Sequence, residues 1–310
     1  MRTKRYTVIS MVFGISLFFL AIGFHAAPGY AQLSDVVEQV GTNGKVNWSS
    51  GIVEATGIGA PPEKFYGKPQ ARPMALRAAQ LDAYRNLLEI VKGVRVDAVT
   101  EVRDFTTSSD TIRAQVEGMV KGAQIHTRNY MSDGTVEVTL RMSLNGDFAQ
   151  AVLPIPKVLK SETFDRPGAP IAPTPTVPTV SQPAAPQPAG PAPPVVSVVF
   201  TGMVVDARGI QARPAMSPKI VDENGQEVYG SMMVDREFAV QQGMSGYARD
   251  LMAAQTNQRV TDNPITVKGV KADGPGKANI VISNADAQKL RSVSENISFM
   301  KKARVMIVLD

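Results

Sequence analysis

Few side chains in this chain could carry chemistry. The 310 residues hold two histidines and no cysteine. Thiolate nucleophiles, Cys-ligated zinc, iron–sulfur clusters and disulfide scaffolds are therefore excluded. His126 could serve as a general base beside a serine and a carboxylate. No G-x-S-x-G elbow surrounds a serine, and no serine is placed for an S-x-x-K mechanism. His126 falls instead within an apparent strand, where an ordinary strand residue is the simpler reading. Gly57-Ile58-Gly59-Ala60-Pro61-Pro62 has the start of a dinucleotide loop. Pro62 replaces the third glycine and no helix opens behind it to hold a pyrophosphate. A tight turn leaving a strand fits better, with glycine supplying positive φ and proline stiffening the exit. Asp82 with Glu89, and Asp222, Glu223 and Glu227, are the carboxylate groups worth testing. Neither follows the spacing of a calcium loop, and both read as solvated faces. The eight methionines Met203, Met216, Met232, Met233, Met244, Met252, Met300 and Met306 lack the accompanying ligands of a copper site and read as core filler. No catalytic, cofactor-binding or metal-ligating residue is assigned, and no cofactor is expected.

The elements that would position any site begin after an export signal. Arg2, Lys4 and Arg5 precede an apolar run from Val8 to Phe24, and then Pro28, Gly29, Tyr30 and Ala31. Gly29 and Ala31 are the small residues at −3 and −1, so cleavage is expected before Gln32. An uncleaved anchor is the rival reading, because the run is slightly long for an h-region of about 7–15 residues, though slightly short for a membrane span of about 20. Cleavage removes three of the 33 basic residues, so 30 face 28 acids, a net of +2. That balance, with export, argues against nucleic acid as a partner.

Residues 167–194 carry eleven of the chain's 22 prolines and no charge. Proline removes amide donors and favours extended backbone, so this stretch reads as a semi-rigid spacer between two lobes. The expected organisation is a signal peptide over 1–31, a first lobe over 32–166, the Pro/Ala-rich linker over 167–194 and a second lobe over 195–310.

In the first lobe, the spacing predicts a helix starting at Pro73 and stopped by Gly93, with Met74, Ala78, Leu81, Leu88 and Val91 as its apolar stripe. Arg77, Asp82, Arg85 and Glu89 take its wetter side, with Arg85 and Glu89 as an i,i+4 pair. A second helix is capped at Ser109 or Asp110, carries Ile112, Val116, Met119 and Val120, and ends at Gly122. Strands are expected over 51–57 and 94–105. A hairpin is expected from 124–131 and 135–144 around Asp133-Gly134, with Val136, Val138, Leu140, Met142 and Leu144 on the buried face. In the second lobe, strands are expected over 195–209, around a type I′ turn at Asn224-Gly225, over 265–270 and 277–282, and over 303–309. Asn284 is expected to cap a helix over 285–295 bearing Ala287, Leu290, Val293 and Ile297. The fold class is α+β: two small lobes, each with helices on a largely antiparallel sheet, joined by the linker.

Residues 51–144, with Gly57 and Gly59 marking a strand and then Ala75, Ala78, Ala79, Asp82, Ala83, Arg85, Leu87, Glu89, Gly93 and Val94, resemble the Lpp-twenty lipoprotein family. That family includes outer-membrane flagellar proteins of the FlgP type and the N-terminal domain of flagellar assembly protein T. The resemblance implies a non-enzymatic envelope protein whose alanines let the helix approach the sheet closely, with Asp82 and Arg85 structural. Its partners would be envelope proteins, among them flagellar ring components or further copies of itself. This chain has no cysteine for the family's lipid, so a direct lipid anchor is excluded and any association with the outer membrane is peripheral.

The expected function is therefore that of a structural or assembly factor in the periplasm or on the periplasmic face of the outer membrane, with the linker separating two binding modules. Sheet edges at 195–205 and 303–309 are the expected sites of strand addition. The rival readings are a periplasmic ligand or glycan binder and an envelope hydrolase built on His126.

Overall fold

The computed structural model describes residues 35–154 and 200–310 except Val293, with no side chains described for 294–297. The leader with Gly29, Ala31 and Gln32, the whole of the Pro-rich linker and Val195–Val199 lie outside the described residues. Residues 33–310 cluster as one compact unit.

The first lobe is built on an antiparallel sheet. A short hairpin, β1 (Val37–Val40) and β2 (Gly44–Asn47), leads to β3 (Ile52–Gly59). Helices α1 (Ala71–Lys92), α2 (Val102–Ser108) and α3 (Asp110–Lys121) follow. The lobe ends with β4 (Gln124–Tyr130), β5 (Val136–Ser143) and α4 (Asp147–Val152). The strand order is β1-β2-β3-β5-β4. Alternation in β5 buries Val136, Val138, Leu140 and Met142 and leaves Glu137, Thr139 and Arg141 on the wet face.

Helix α1 lies on the buried face, but rotated by about one residue from expectation. Its buried stripe is Ala75, Ala79, Ala83, Leu87, Ile90 and Val91. Met74 and Leu81 are 39% and 54% exposed, and Ala78 faces outward as well. Closeness explains the rotation. A Cβ on Gly57 would stand 2.0 Å from the Ala83 nitrogen, and one on Gly59 would stand 2.3 Å from the Ala75 carbonyl oxygen. Bare backbone in β3 thus meets small residues in α1, and the narrowest side of the helix faces the sheet. Neither glycine has positive φ, which corrects the turn reading. Gly93 does end α1, with its N–H on the Glu89 and Ile90 carbonyls, at φ −86° and so without a left-handed stop.

The strand expected over 94–105 does not form. Asp97 Oδ1 accepts the N–H groups of Val99 and Thr100 and turns the chain. Glu101 and Asp104 then form a reciprocal capping box that starts α2 at Val102. Those local polar bonds override a valine-rich run, and Val99 is left 76% exposed. Ser109 caps α3 as expected, accepting the Ile112 N–H, and Val116 and Val120 are buried.

The second lobe contains β6 (Gly202–Asp206), β7 (Ile220–Asp222), β8 (Glu227–Tyr229), α5 (Arg236–Gln242), β9 (Gly246–Ala248) and α6 (Leu251–Gln255). It continues with β10 (Pro264–Asp273), β11 (Asn279–Ile282), α7 (Asn284–Arg291), α8 (Ser294–Lys301) and β12 (Val305–Val308). The order is β8-β7-β11-β10-β6-β12-β9, a mixed sheet in which only β10–β11 and β7–β8 pair antiparallel. Strands β6 and β12 are central rather than edges, because each has a parallel neighbour on both sides. Strand addition at 200–205 or at 305–308 is therefore ruled out. Val204, Met306, Val308, Ala248, Ala254 and Val260 form a separate small core on the α6 side of the sheet.

Two end signals also shifted. Ser283, not Asn284, caps α7 by accepting the Asp286 N–H, and the helix stops at Arg291 before α8 begins. In the β7–β8 turn only Gly225 has positive φ (80°). The loop is held instead by Asp222, whose Oδ1 accepts from Asn224 and Gln226 N–H at 3.0 and 2.8 Å, so no type I′ turn forms.

One hydrophobic cluster runs through both lobes, from Val36 and Val46 to Ile307 and Leu309. Expectations of two modules held apart by a spacer give way here to lobes docked on a shared core.

Candidate functional site

The carboxylates and the histidine singled out by sequence are spread over separate places. His126 sits at a register shift in β4, exposed on the wet face of the first sheet. Arg141 Nη2 lies 3.0 Å from its Nε2. A guanidinium can only donate, so this ring nitrogen is the acceptor in that contact. Arg141 in turn pairs with Glu54, which also holds Lys45 at 2.9 Å. Burial pushes the Glu54 carboxyl up, but Lys45 and Arg141 outweigh it and hold it below the usual carboxylate range. The groove here, about 490 Å3, is open and lined by Thr56, Thr127, Glu137 and Thr139 among others. No serine hydroxyl bonds His126 among the described residues, so the hydrolase arrangement is not assembled.

Asp82 has a structural task. Strand β2 stops opposite Ala55, and Asn43 covers only Thr56, so the rest of that β3 edge lacks a strand. Asp82 Oδ2 accepts the Ile58 N–H at 3.0 Å, and Asn86 Nδ2 donates to the Thr56 carbonyl at 2.8 Å. Helix side chains thereby replace the absent strand. Arg85 and Glu89 are exposed and form no ion pair among the described residues. Asp222 is not a solvated residue, being only 3% exposed and bound to Arg291 at 2.8 Å. The Arg291 contact and the turn amides hold its carboxyl below the usual range against desolvation. Glu223 accepts the Asn284 N–H and Glu227 lies 3.5 Å from Lys219. Of the methionines, Met203, Met244, Met300 and Met306 are core, while Met232 and Met252 are largely exposed.

The groups that do converge lie between the lobes, where no motif spacing points to them. Glu38 in β1 bonds Arg95, the Trp48 indole N–H at 3.0 Å and Arg213 of the second lobe at 2.8 Å. Burial raises the Glu38 carboxyl, and Arg95, Arg213 and Trp48 together bring it below its ordinary value. Arg95 is 8% exposed, packs over the Trp48 ring and donates from Nε to the Pro214 carbonyl at 2.9 Å. Backbone bonds continue the seam: Met216 and Ser217 N–H reach the Arg95 and Val96 carbonyls, and Gly276 N–H reaches Ala98. A cavity of about 510 Å3 opens beside this network. With each carboxylate oxygen engaged by an arginine, Glu38 functions as a latch between the lobes.

A second inter-lobe cavity, about 290 Å3, lies on the other side of Trp48. Tyr247 forms part of its wall, edge-on to Trp48 at 6.0 Å, and its hydroxyl bonds both the N–H and the carbonyl of Ala215. Burial raises the Tyr247 phenol, which stays protonated. Ser49 Oγ donates to the Tyr247 carbonyl at 2.7 Å, and Gly146 N–H bonds the Val240 carbonyl. Arg259 also lines this cavity. Trp48, the chain's one tryptophan, borders both cavities and was the single residue whose type alone could have drawn attention. Among the described residues no group of three or more His, Asp or Glu is placed to hold a metal, and no helix is long and apolar enough to cross a membrane.

Residues 202–310 match the family model described as Treponema pallidum Tp0624, second domain. The match spans the second lobe and leaves residues 51–144, with their Lpp-twenty resemblance, outside it. No curated protein matches the chain.

Proposed function

We propose that the chain is a non-enzymatic, exported cell-envelope protein that serves as a structural or assembly factor, working in the periplasm or at the periplasmic face of the outer membrane. The observation that carries this reading is the latched seam between the lobes. Glu38, Arg95 and Arg213 join two sheets into one body. A rigid body is suited to being a part of an assembly, since little ordering entropy is lost when it docks. The docking element that best fits is the edge of β4, a seven-residue strand that is mostly exposed and, among the described residues, pairs only with β5. Its open N–H and C=O groups can take a strand from a partner or from a second copy. The Lpp-twenty resemblance makes flagellar ring components the first partners to test.

Affinity capture from crosslinked envelopes tests the reading. Recovery of defined outer-membrane or basal-body components, lost when Thr127 and Asn129 in β4 are replaced by proline, is the expected result. A deletion strain with normal motility and an unchanged outer-membrane fraction, together with a capture that returns nothing, would overturn it. The runner-up reading, a periplasmic ligand- or glycan-binding protein, draws its support from the smaller inter-lobe cavity.

A further inference from the structure

Arg259 follows α6 and reaches into the seam beside β9. Its Nη1 donates to the carbonyls of Gly243 (3.1 Å) and Ala303 (2.8 Å), and Nη2 donates to Gln242. A guanidinium has five N–H bonds, so Nε–H and one Nη2–H remain without an acceptor among the described residues. No carboxylate ion-pairs with it there either, unlike Arg95, Arg208, Arg213 and Arg291, which each have one. Burial lowers its basicity, yet a guanidinium remains charged at neutral pH. Arg259 is half-buried, and charges taken out of water are normally paired, because dipoles alone repay only part of the lost hydration. This one is left facing a cavity with no anion of the protein's own.

The surroundings are consistent with a place kept for one. Ser245 Oγ is shut off from solvent against the Tyr247 hydroxyl, which turns that hydroxyl away from the anion. The Asn145 side-chain amide, on the facing lobe, lines the same cavity and is unbonded among the described residues. Trp48, Leu144, Met216 and Tyr247 supply apolar wall. Gly246 keeps the approach clear, since a Cβ there would meet Met306 Sδ at 2.4 Å and Arg259 Nε at 3.1 Å. The volume, about 290 Å3, stands at the small end of ligand sites, roughly 300–1,000 Å3.

We infer that the inter-lobe cavity at Arg259 binds a small organic carboxylate with an apolar substituent, the anion on the free guanidinium N–H groups, with Asn145 beside it, and the substituent against Trp48 and Leu144. The carboxylate could be that of a free acid or the C-terminus of a peptide, which share this chemistry. The inference stands on the cavity alone and is independent of any assembly partner.

Calorimetric titration of the full chain tests it with four probes: N-acetyl-leucine, N-acetyl-leucinamide, the tetrapeptide Ala-Ala-Ala-Leu, and its C-terminal amide. At least one acid is expected to bind at least about tenfold more tightly than its amide, because a charged hydrogen bond to a guanidinium is roughly twice as strong as a neutral one. Binding of the first acid alone assigns a free acid as the ligand class. Binding of the tetrapeptide acid assigns a peptide C-terminus. Arg259→Gln should abolish the preference, but it also removes donors to three carbonyls and can unfold the seam. Asn145→Ala, which severs no hydrogen bond of that side chain among the described residues, is expected to keep the melting temperature and weaken acid binding several-fold. Equal binding of acids and amides, no binding by any probe up to about 10 mM, or an acid preference untouched in Asn145→Ala would overturn the assignment.

Discussion

Adding one methyl group at Gly57 should move helix α1. The new Cβ would lie 2.0 Å from the Ala83 nitrogen, 2.5 Å from the Ala79 carbonyl oxygen and 2.6 Å from the Ala83 Cα. Contact between non-bonded heavy atoms is comfortable near 3.5 Å, so the helix must withdraw by roughly 1–1.5 Å. All three obstacles are backbone, so no side-chain rotation relieves them. A gap of ~0.5–1 Å already forfeits a quarter to a half of each dispersion contact, and Ala75, Ala79 and Ala83 would all lose theirs. The bonds from Asp82 to Ile58 N–H (3.0 Å) and from Asn86 to the Thr56 carbonyl (2.8 Å) would stretch as well. Overpacking costs about 1–3 kcal/mol, and a clash against helix backbone belongs at the top of that range, about 3 kcal/mol. For a body of this size that corresponds to a fall in melting temperature of roughly 6–12 °C. Thermal unfolding followed by circular dichroism reads it directly, with Gly118→Ala as the control. Gly118 is inside α3, has nothing within 4 Å of a built Cβ and no positive φ. The control should be neutral or gain up to about 1 kcal/mol from helix propensity. A Gly57→Ala protein melting within about 2 °C of the parent would refute the close-approach argument.

Glu38→Gln should destabilise the seam by about 2 kcal/mol in urea, less than the 3–5 of a fully buried pair because the Glu38 side chain is a quarter exposed. Stability should also fall in acid. Glu38, Glu54 and Asp206 are all held below their ordinary values, so the stability they contribute is complete above the usual carboxylate range, near pH 4–4.5, and is lost as pH drops through the lowered folded values. Denaturation midpoints measured from pH 7 down to pH 2 should show that limb, shallower in Glu38→Gln. Tyr247→Phe leaves the Ala215 N–H and carbonyl without their hydroxyl partner and should cost about 1–3 kcal/mol in the same assay. His126→Ala, at an exposed position, should change stability by no more than about 0.5 kcal/mol.

The α+β class could be read from the sequence, and so could the hairpin at 124–144, because period-two alternation in Val136–Leu144 has only one structural meaning. Helix α1 was legible as a helix but not by its face. Reading bulk as the packing signal selects Met74 and Leu81, whereas the sheet takes the alanines because Gly57 and Gly59 demand a thin partner. At 94–105 valine-rich composition pointed to a strand, and two short-range carboxylates, Asp97 and Asp104, decided otherwise. The mixed pairing of the second sheet was hidden for a different reason. Parallel neighbours such as β6 and β12 lie about a hundred residues apart, and nothing local encodes which strand adjoins which. The inter-lobe groups were invisible on the same ground. Glu38 meets Arg95 and Arg213 across 57 and 175 residues, so no motif spacing announces them.

The shared core changes what the covalent connection between residues 154 and 200 has to do. When Val36 and Leu309 belong to one apolar cluster and Glu38 clasps Arg213, cohesion resides in the seam. Severing the backbone between the lobes should then leave a bound pair of fragments, and the two halves produced as separate polypeptides should find each other and reconstitute the whole by complementation.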